Sequence, residues 1–186
     1  MQDKNLAIGV SGHGSTLEVI LKAGIPVGLV FADQPCRALD IVAKEWSIPI
    51  LLIQRKKGEP FDRGLWDKRL ADKLYERHVD FIALAGFMTI LGHAVCQRWA
   101  GKMLNIHPSL LPKFPGAHAV RDTLVAGEQF GGCTVHKVVA GVDAGAILAQ
   151  KKVPVNPGDT EETLHKRIKT VEQFIYPPII RKFIAG

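Results

Sequence analysis

Met103-Leu104-Asn105-Ile106-His107-Pro108-Ser109-Leu110-Leu111-Pro112-Lys113-Phe114-Pro115-Gly116 begins as an apolar run of strand length and ends in a turn rich in Pro and Gly. Residues two apart in a strand point to the same side, so Asn105 and His107 share one face while Ile106 points into the core. Pro108 cannot donate to a sheet ladder, which predicts that the strand stops there. In open α/β sheets ligands bind just outside the carboxyl ends of the strands. An amide donor beside an imidazole at such an edge suits a reaction that builds negative charge on a carbonyl oxygen.

Outward from this strand, apolar runs alternate with helical patterns. Leu6–Val10, Val27–Ala32, Ile48–Ile53 and Phe81–Ala85 read as strands, and Leu17–Leu21, Cys36–Trp46, Asp62–Arg77 and Gly92–Ala100 as helices. Ser15 or Thr16 is expected to cap the first helix. The third helix should bury Leu65, Trp66, Leu70 and Leu74 on one face. After Gly116 come a helix over Ala119–Ala126 and strands over Gly131–Val139 and Ala146–Val155. The linker between those two strands is too short for a helical crossover, so they should run antiparallel. Asp159-Thr160-Glu161-Glu162 opens a last helix, which Tyr176-Pro177-Pro178 should interrupt or close. The predicted fold class is α/β: a Rossmann-like, mostly parallel sheet with helices on both faces and a C-terminal antiparallel pair.

A length of 186 residues, 47% of them hydrophobic, suits one domain over 1–186 with a sizeable core. The net charge of +6 comes from 24 Lys and Arg against 18 Asp and Glu and suits anionic ligands. With 7% aromatic residues and no long basic block, nucleic acid is not the expected partner. Arg55-Lys56-Lys57 reads as a solvated loop. No apolar stretch approaches the roughly 18 residues of a membrane helix, and no signal peptide opens the chain. Cys36, Cys96 and Cys133 lie far apart without metal or redox spacing, which predicts a reduced, cytoplasmic setting.

Ser11-Gly12-His13-Gly14-Ser15-Thr16 is a glycine-rich turn between a strand and a helix. Such a turn exposes backbone N–H groups and a positive dipole end, which makes it either a phosphate site or a plain tight turn. It lacks the lysine and spacing of a P-loop. Asp143 lies in Ala140-Gly141-Val142-Asp143-Ala144-Gly145, where an Asp among glycines ordinarily just makes a turn. His78, His93 and His165 read as surface residues, His136 as a packed histidine near the site edge, and His118 as a candidate neighbour of the site. No pair of histidines has the spacing of a helical zinc motif.

Asn105-Ile106-His107-Pro108-Ser109-Leu110-Leu111-Pro112 resembles the signature of the folate-dependent formyltransferases. The continuation Lys113-Phe114-Pro115-Gly116 is similar to the branch that acts on glycinamide ribonucleotide. The resemblance runs from the turn after Ser11 to Tyr176-Pro177. It implies transfer of a formyl group from 10-formyltetrahydrofolate, as co-substrate and without a metal, to the amine of glycinamide ribonucleotide in purine synthesis. It implies Asn105, His107 and Asp143 as catalytic residues, Asp143 ordering water and supporting the histidine. Gly12, His13, Gly14, Ser15 and Thr16 would hold the substrate phosphate, and Lys169, Thr170, Val171 and Glu172 the rest of the ribonucleotide. Arg63, Met88, Thr89, Ile90, Leu91, Asn105, Ala140, Gly141, Val142 and Asp143 would contact the folate. Many relatives carry Asn in place of His13 and Thr16, and Arg in place of Thr89. Two enzymatic alternatives share the donor chemistry: hydrolysis of formyltetrahydrofolate and formylation of methionyl-tRNA. Those relatives carry an additional N-terminal or C-terminal domain, for which 186 residues leave no room. A nucleotide-binding regulator would keep the glycine turn without needing Asn105, His107 and Asp143 together. A homodimer stays open.

Overall fold

The computed structural model describes residues 4–54 and 61–186; Arg55-Lys56-Lys57 and the end of its loop at Pro60 lie outside the described residues. In chain order the elements are β1 (Leu6–Val10), α1 (Ser15–Lys22), β2 (Leu29–Ala32), α2 (Arg37–Glu45), β3 (Ile50–Leu52), α3 (Arg63–Glu76), β4 (Phe81–Leu84), α4 (His93–Arg98), β5 (Met103–His107), α5 (Ala119–Val125), β6 (Phe130–Lys137), β7 (Ile147–Pro154) and α6 (Glu161–Ala185). The strands form one seven-stranded sheet in the order β3-β2-β1-β4-β5-β6-β7. β1 to β5 are parallel, whereas β6 runs antiparallel to both β5 and β7.

The inner parallel strands β1, β2, β4 and β5 are largely buried on both faces, which is why they read as continuous apolar runs, while the edge strand β3 is only partly covered. Alternate residues divide between two cores. Leu6, Ile8, Val10, Val30, Ala32, Ala83, Leu104 and Ile106 pack under the buried sides of α1, α2, α5 and α6. Ala7, Leu29, Phe31, Ile82, Leu84 and Met103 pack under α3 and α4. By the two-residue period Asn105 and His107 belong to the Met103 side, the α3/α4 face.

Three local expectations are corrected. No side chain caps α1; Gly14 takes the N-cap position in a left-handed conformation (φ 84°). A Cβ at Gly14 would meet Ala38 Cα at 2.8 Å, so close packing of the turn on α2 favours glycine there. Leu65 is 59% exposed: α3 buries Trp66, Leu70 and Leu74 with Asp67 and Ala71, and Leu65 falls outside that stripe. Tyr176-Pro177-Pro178 neither interrupts nor closes α6, which continues to Ala185. Each proline removes one backbone donor. The helix is held on both sides of them, since Ile175, Tyr176, Ile180 and Ile184 are buried and the Tyr176 hydroxyl donates to the Leu84 carbonyl at 3.0 Å.

β6 and β7 are joined by residues 138–146. Gly145 lies so close to β6 that a Cβ would fall 1.7 Å from the Lys137 carbonyl oxygen. Gly145→Ala is therefore expected to destabilise the fold by roughly 3 kcal/mol or more, the upper end of overpacking costs, because the obstacle is backbone. Chemical denaturation measures this directly, and an unchanged midpoint would show that the hairpin shifts freely.

Candidate active site

At the carboxyl end of β5 the side chains of Asn105 and His107 meet the loop 138–146. β6 runs toward the amino end of β5, with Lys137 opposite Leu104 and His136 opposite Asn105. The loop therefore starts near Met103, whose carbonyl accepts from the Val138 N–H at 3.0 Å. It folds back along the sheet to deliver Asp143, whose backbone is left-handed (φ 49°), a conformation Asp tolerates better than most residues.

One Asp143 oxygen, Oδ2, lies 3.3 Å from His107 Nδ1 and accepts from the Gly116 N–H at 2.8 Å. The other, Oδ1, lies 3.5 Å from both Asn105 Nδ2 and His136 Nε2. Burial pushes the Asp143 carboxyl up. The hydrogen bond from His136, the Gly116 N–H and the charge of His107 and His136 outweigh it, and the net direction is below the ordinary carboxylate value. His107 Nε2–H donates to the Phe114 carbonyl at 2.9 Å. With Asp143 on the other side, both ring nitrogens face acceptors. His136 is buried, and its Nδ1–H donates to the Lys137 carbonyl at 2.9 Å. Its Nε2 lies 3.2 Å from Asn105 Nδ2, so the ring packs against both the amide and Asp143.

The turn after His107 is held by groups distant in sequence. The Ser109 hydroxyl donates to the Lys113 carbonyl at 2.6 Å. Thr134, opposite His107 in the sheet, donates to the Ser109 carbonyl at 2.6 Å and accepts from the Leu111 N–H at 3.1 Å. Gln150 reaches across from β7 to the Leu111 carbonyl at 2.7 Å. The Leu111–Pro112 peptide is cis.

A cleft of about 320 Å³ opens beside these groups. Its size falls in the range of small-ligand sites. One wall is Gly86–Leu91, another is Val138–Asp143, and α6 contributes Glu161, His165, Lys169 and Glu172. Glu172 is 2% exposed, with Oε2 3.1 Å from Lys169 Nζ and without a hydrogen bond. Among the described residues no group of three or more His, Cys, Asp and Glu is placed to hold a metal ion, and no helix is long and apolar enough to cross a membrane.

The model of the formyl transferase family matches residues 4–180. The chain belongs to the formyl transferase family. Among its curated relatives, phosphoribosylglycinamide formyltransferase of Mycobacterium tuberculosis is 44% identical over 90% of this chain and 79% of its own length. The trifunctional purine biosynthetic protein adenosine-3 of Drosophila pseudoobscura pseudoobscura is 41% identical over 98% of this chain. This chain spans only 14% of that longer protein. The crystal structure of glycinamide ribonucleotide transformylase 1 from Symbiobacterium toebii superposes with a TM-score of 0.91 at 36% identity, covering 100% of this chain and 90% of the other.

In this formyl transferase the cleft brings together Asn105, His107, Asp143, Met88, Thr89, Ile90, Leu91, Ala140, Gly141, Val142, Lys169 and Glu172. It does not include Gly12, His13, Gly14, Ser15, Thr16, Arg63, Thr170 or Val171. The turn Gly12–Thr16 lies at the carboxyl end of β1 and joins the cleft wall through Ser11, whose N–H donates to the Gly86 carbonyl at 3.2 Å. Thr16 is buried and its hydroxyl has no hydrogen-bond partner. Arg63 is an exposed residue at the start of α3. His78 and His93 are exposed as the pattern predicts; His165 is exposed too, but on the cleft wall. His118 is exposed and does not itself line the cleft, although Ala117 and Ala119 on either side of it do. Thr134 and Gln150 gave no signal in the sequence, because a polar residue in a strand pattern looks like a solvent-facing one.

Proposed function

We propose that this formyl transferase moves the formyl group of 10-formyltetrahydrofolate to the amine of glycinamide ribonucleotide. The observation that carries the reading is the convergence of Asn105, His107 and Asp143 at the mouth of a cleft walled by Gly86–Leu91 and Val138–Asp143. The amine is itself a nucleophile, so no enzyme nucleophile is needed. Its attack on the formyl carbon gives a tetrahedral intermediate carrying an oxyanion. The Asn105 amide and the His107 imidazolium donate to that oxygen. For this His107 Nε2–H exchanges the Phe114 carbonyl for the substrate. A proton must pass from the amine to the folate nitrogen, and His107, or water held by Asp143, relays it.

The apolar side chains of Ile90, Leu91 and Val142 with the backbone of Ala140 and Gly141 suit a flat heterocycle. The N–H groups of Gly12–Ser15 at the start of α1, with the unpartnered Thr16 hydroxyl beside them, suit the acceptor's phosphate. Glu172 and Lys169 suit its amino and ribose end. Binding at both ends would bring the amine within about 3–3.5 Å of the formyl carbon.

The experiment follows folate absorbance and formylated product with and without glycinamide ribonucleotide. Rapid formylation of the ribonucleotide, with far slower formate release when it is omitted, is the expected result. Deleting the acceptor's phosphate should lower kcat/KM sharply, since remote binding assists orientation. Equal formate release with and without the acceptor, and no formylated ribonucleotide, would replace transfer by hydrolysis.

A further inference from the structure

The turn after β1 and the cleft wall after β4 are joined by a buried acid from a third loop. Asp33, next after β2, is 1% exposed. Its Oδ1 accepts from the Ser11 hydroxyl at 2.8 Å and its Oδ2 from the Thr89 hydroxyl at 2.6 Å. The Ser11 oxygen in turn accepts from the Met88 N–H at 2.9 Å. Gln34 Nε2 donates to the Ser11 carbonyl at 3.0 Å, and the Ala38 N–H to the Gly12 carbonyl at 3.1 Å. The far end of the wall is pinned separately: Asp67 of α3 accepts from the Gly92 N–H at 2.6 Å and the Ala94 N–H at 2.8 Å. A wall of short loop should drift, yet this one is fixed at Thr89 and Gly92 by the buried carboxyl groups of Asp33 and Asp67, and at Met88 by the Ser11 hydroxyl. Hydrogen bonds to ionised groups are shorter and about twice as strong as neutral ones.

We propose that Asp33 is a positioning residue which, through Ser11 and Thr89, locks the glycine-rich turn to the folate-side wall so that the two substrate sites are built as one unit. The proposal rests on the function given above for assigning one ligand to each side. Its consequence is crosswise. Damage on the wall side reaches the acceptor, and damage on the turn side reaches the folate. Thr89 acts here by fastening the wall to the acid and not by reaching into solvent.

The test uses the intact chain and three variants. Thr89→Val keeps the shape but withdraws one donor from the buried carboxylate. It is expected to raise KM for both 10-formyltetrahydrofolate and glycinamide ribonucleotide by about ten-fold, the scale of leaving a buried polar group short of a partner. Thr89→Ser restores the hydroxyl and should restore both constants. Ser11→Ala attacks the same link from the turn and should raise the folate KM as well as the acceptor KM. It reads the coupling independently if Thr89→Val does not fold. A purely structural role would lower the folded fraction and hence kcat, with both KM values unchanged, and that result would overturn the proposal. So would variants that each alter only the ligand on their own side, or a Thr89→Ser protein as impaired as Thr89→Val. A wild-type protein that makes no formylated ribonucleotide fails at an earlier step, and would overturn the function and this coupling together.

Discussion

Replacing Asp143 by asparagine is expected to cut turnover by roughly 10²–10⁴-fold, the scale of lost acid–base assistance, in a protein that still folds. The fold should survive because Asn has nearly the same shape and adopts the left-handed backbone of residue 143 as readily as Asp. Its amide oxygen can still accept from the Gly116 N–H. What disappears is the negative charge 3.3 Å from His107 Nδ1 that favours the imidazolium. The carboxyl lies below its ordinary value, so its charge is fully present at and above that value. The stability it contributes is fully present above the ordinary, unfolded-state value and is lost as pH falls from there through the lowered folded-state value, and the variant should lack that acid-side loss. Single-turnover rates with a circular dichroism control make the measurement. Near-wild-type turnover in a folded Asp143→Asn protein would remove this carboxylate from the mechanism.

Asn105→Ala should cost about 10²–10³-fold in kcat, as removal of an oxyanion donor does elsewhere. The amide is held at the site by His136 and Asp143, and the N–H on the longer, 3.5 Å contact to Asp143 is the one free to turn to the oxyanion as charge develops. Truncation leaves His136 and Asp143 in place and removes only the donor between them. The loss should fall on kcat and kcat/KM alike, because the interaction is made in the transition state. A rise in KM at unchanged kcat would instead make Asn105 a ground-state binding residue.

Most of the sheet was legible because strands buried on both faces leave unbroken apolar runs, and β1, predicted at Leu6–Val10, is observed there. The antiparallel pair was legible from linker length. Legibility failed where a tertiary contact overrode a local rule. The α1 cap depends on Ala38 lying against Gly14, 24 residues away in the chain. The prolines of α6 are tolerated because buried neighbours on both sides hold the helix. Asp67 looks like an ordinary polar residue of a helix, yet it is buried as the acceptor for the start of α4. In the site, the pairing of Asn105 with His107 follows from two-residue spacing. The arrival of Asp143 does not, since its loop leaves β6 near the amino end of β5 and must turn back. Ser11, Asp33 and Thr89 share no periodicity, so only the folded chain brings them together.

β5 is bounded on both sides by hydrogen-bonded neighbours, with Met103 opposite Ile82 of β4 and His107 opposite Thr134 of β6. A strand so enclosed cannot absorb a change in chain length. One residue gained or lost between Met103 and Asn105 would rotate Asn105 and His107 to the opposite face of the sheet and drive Ile106 out of the core. Length variation over evolutionary time is therefore confined to segments beyond the ladders, and the spacing from Met103 to His107 must be inherited as a block even where the side chains between are exchanged.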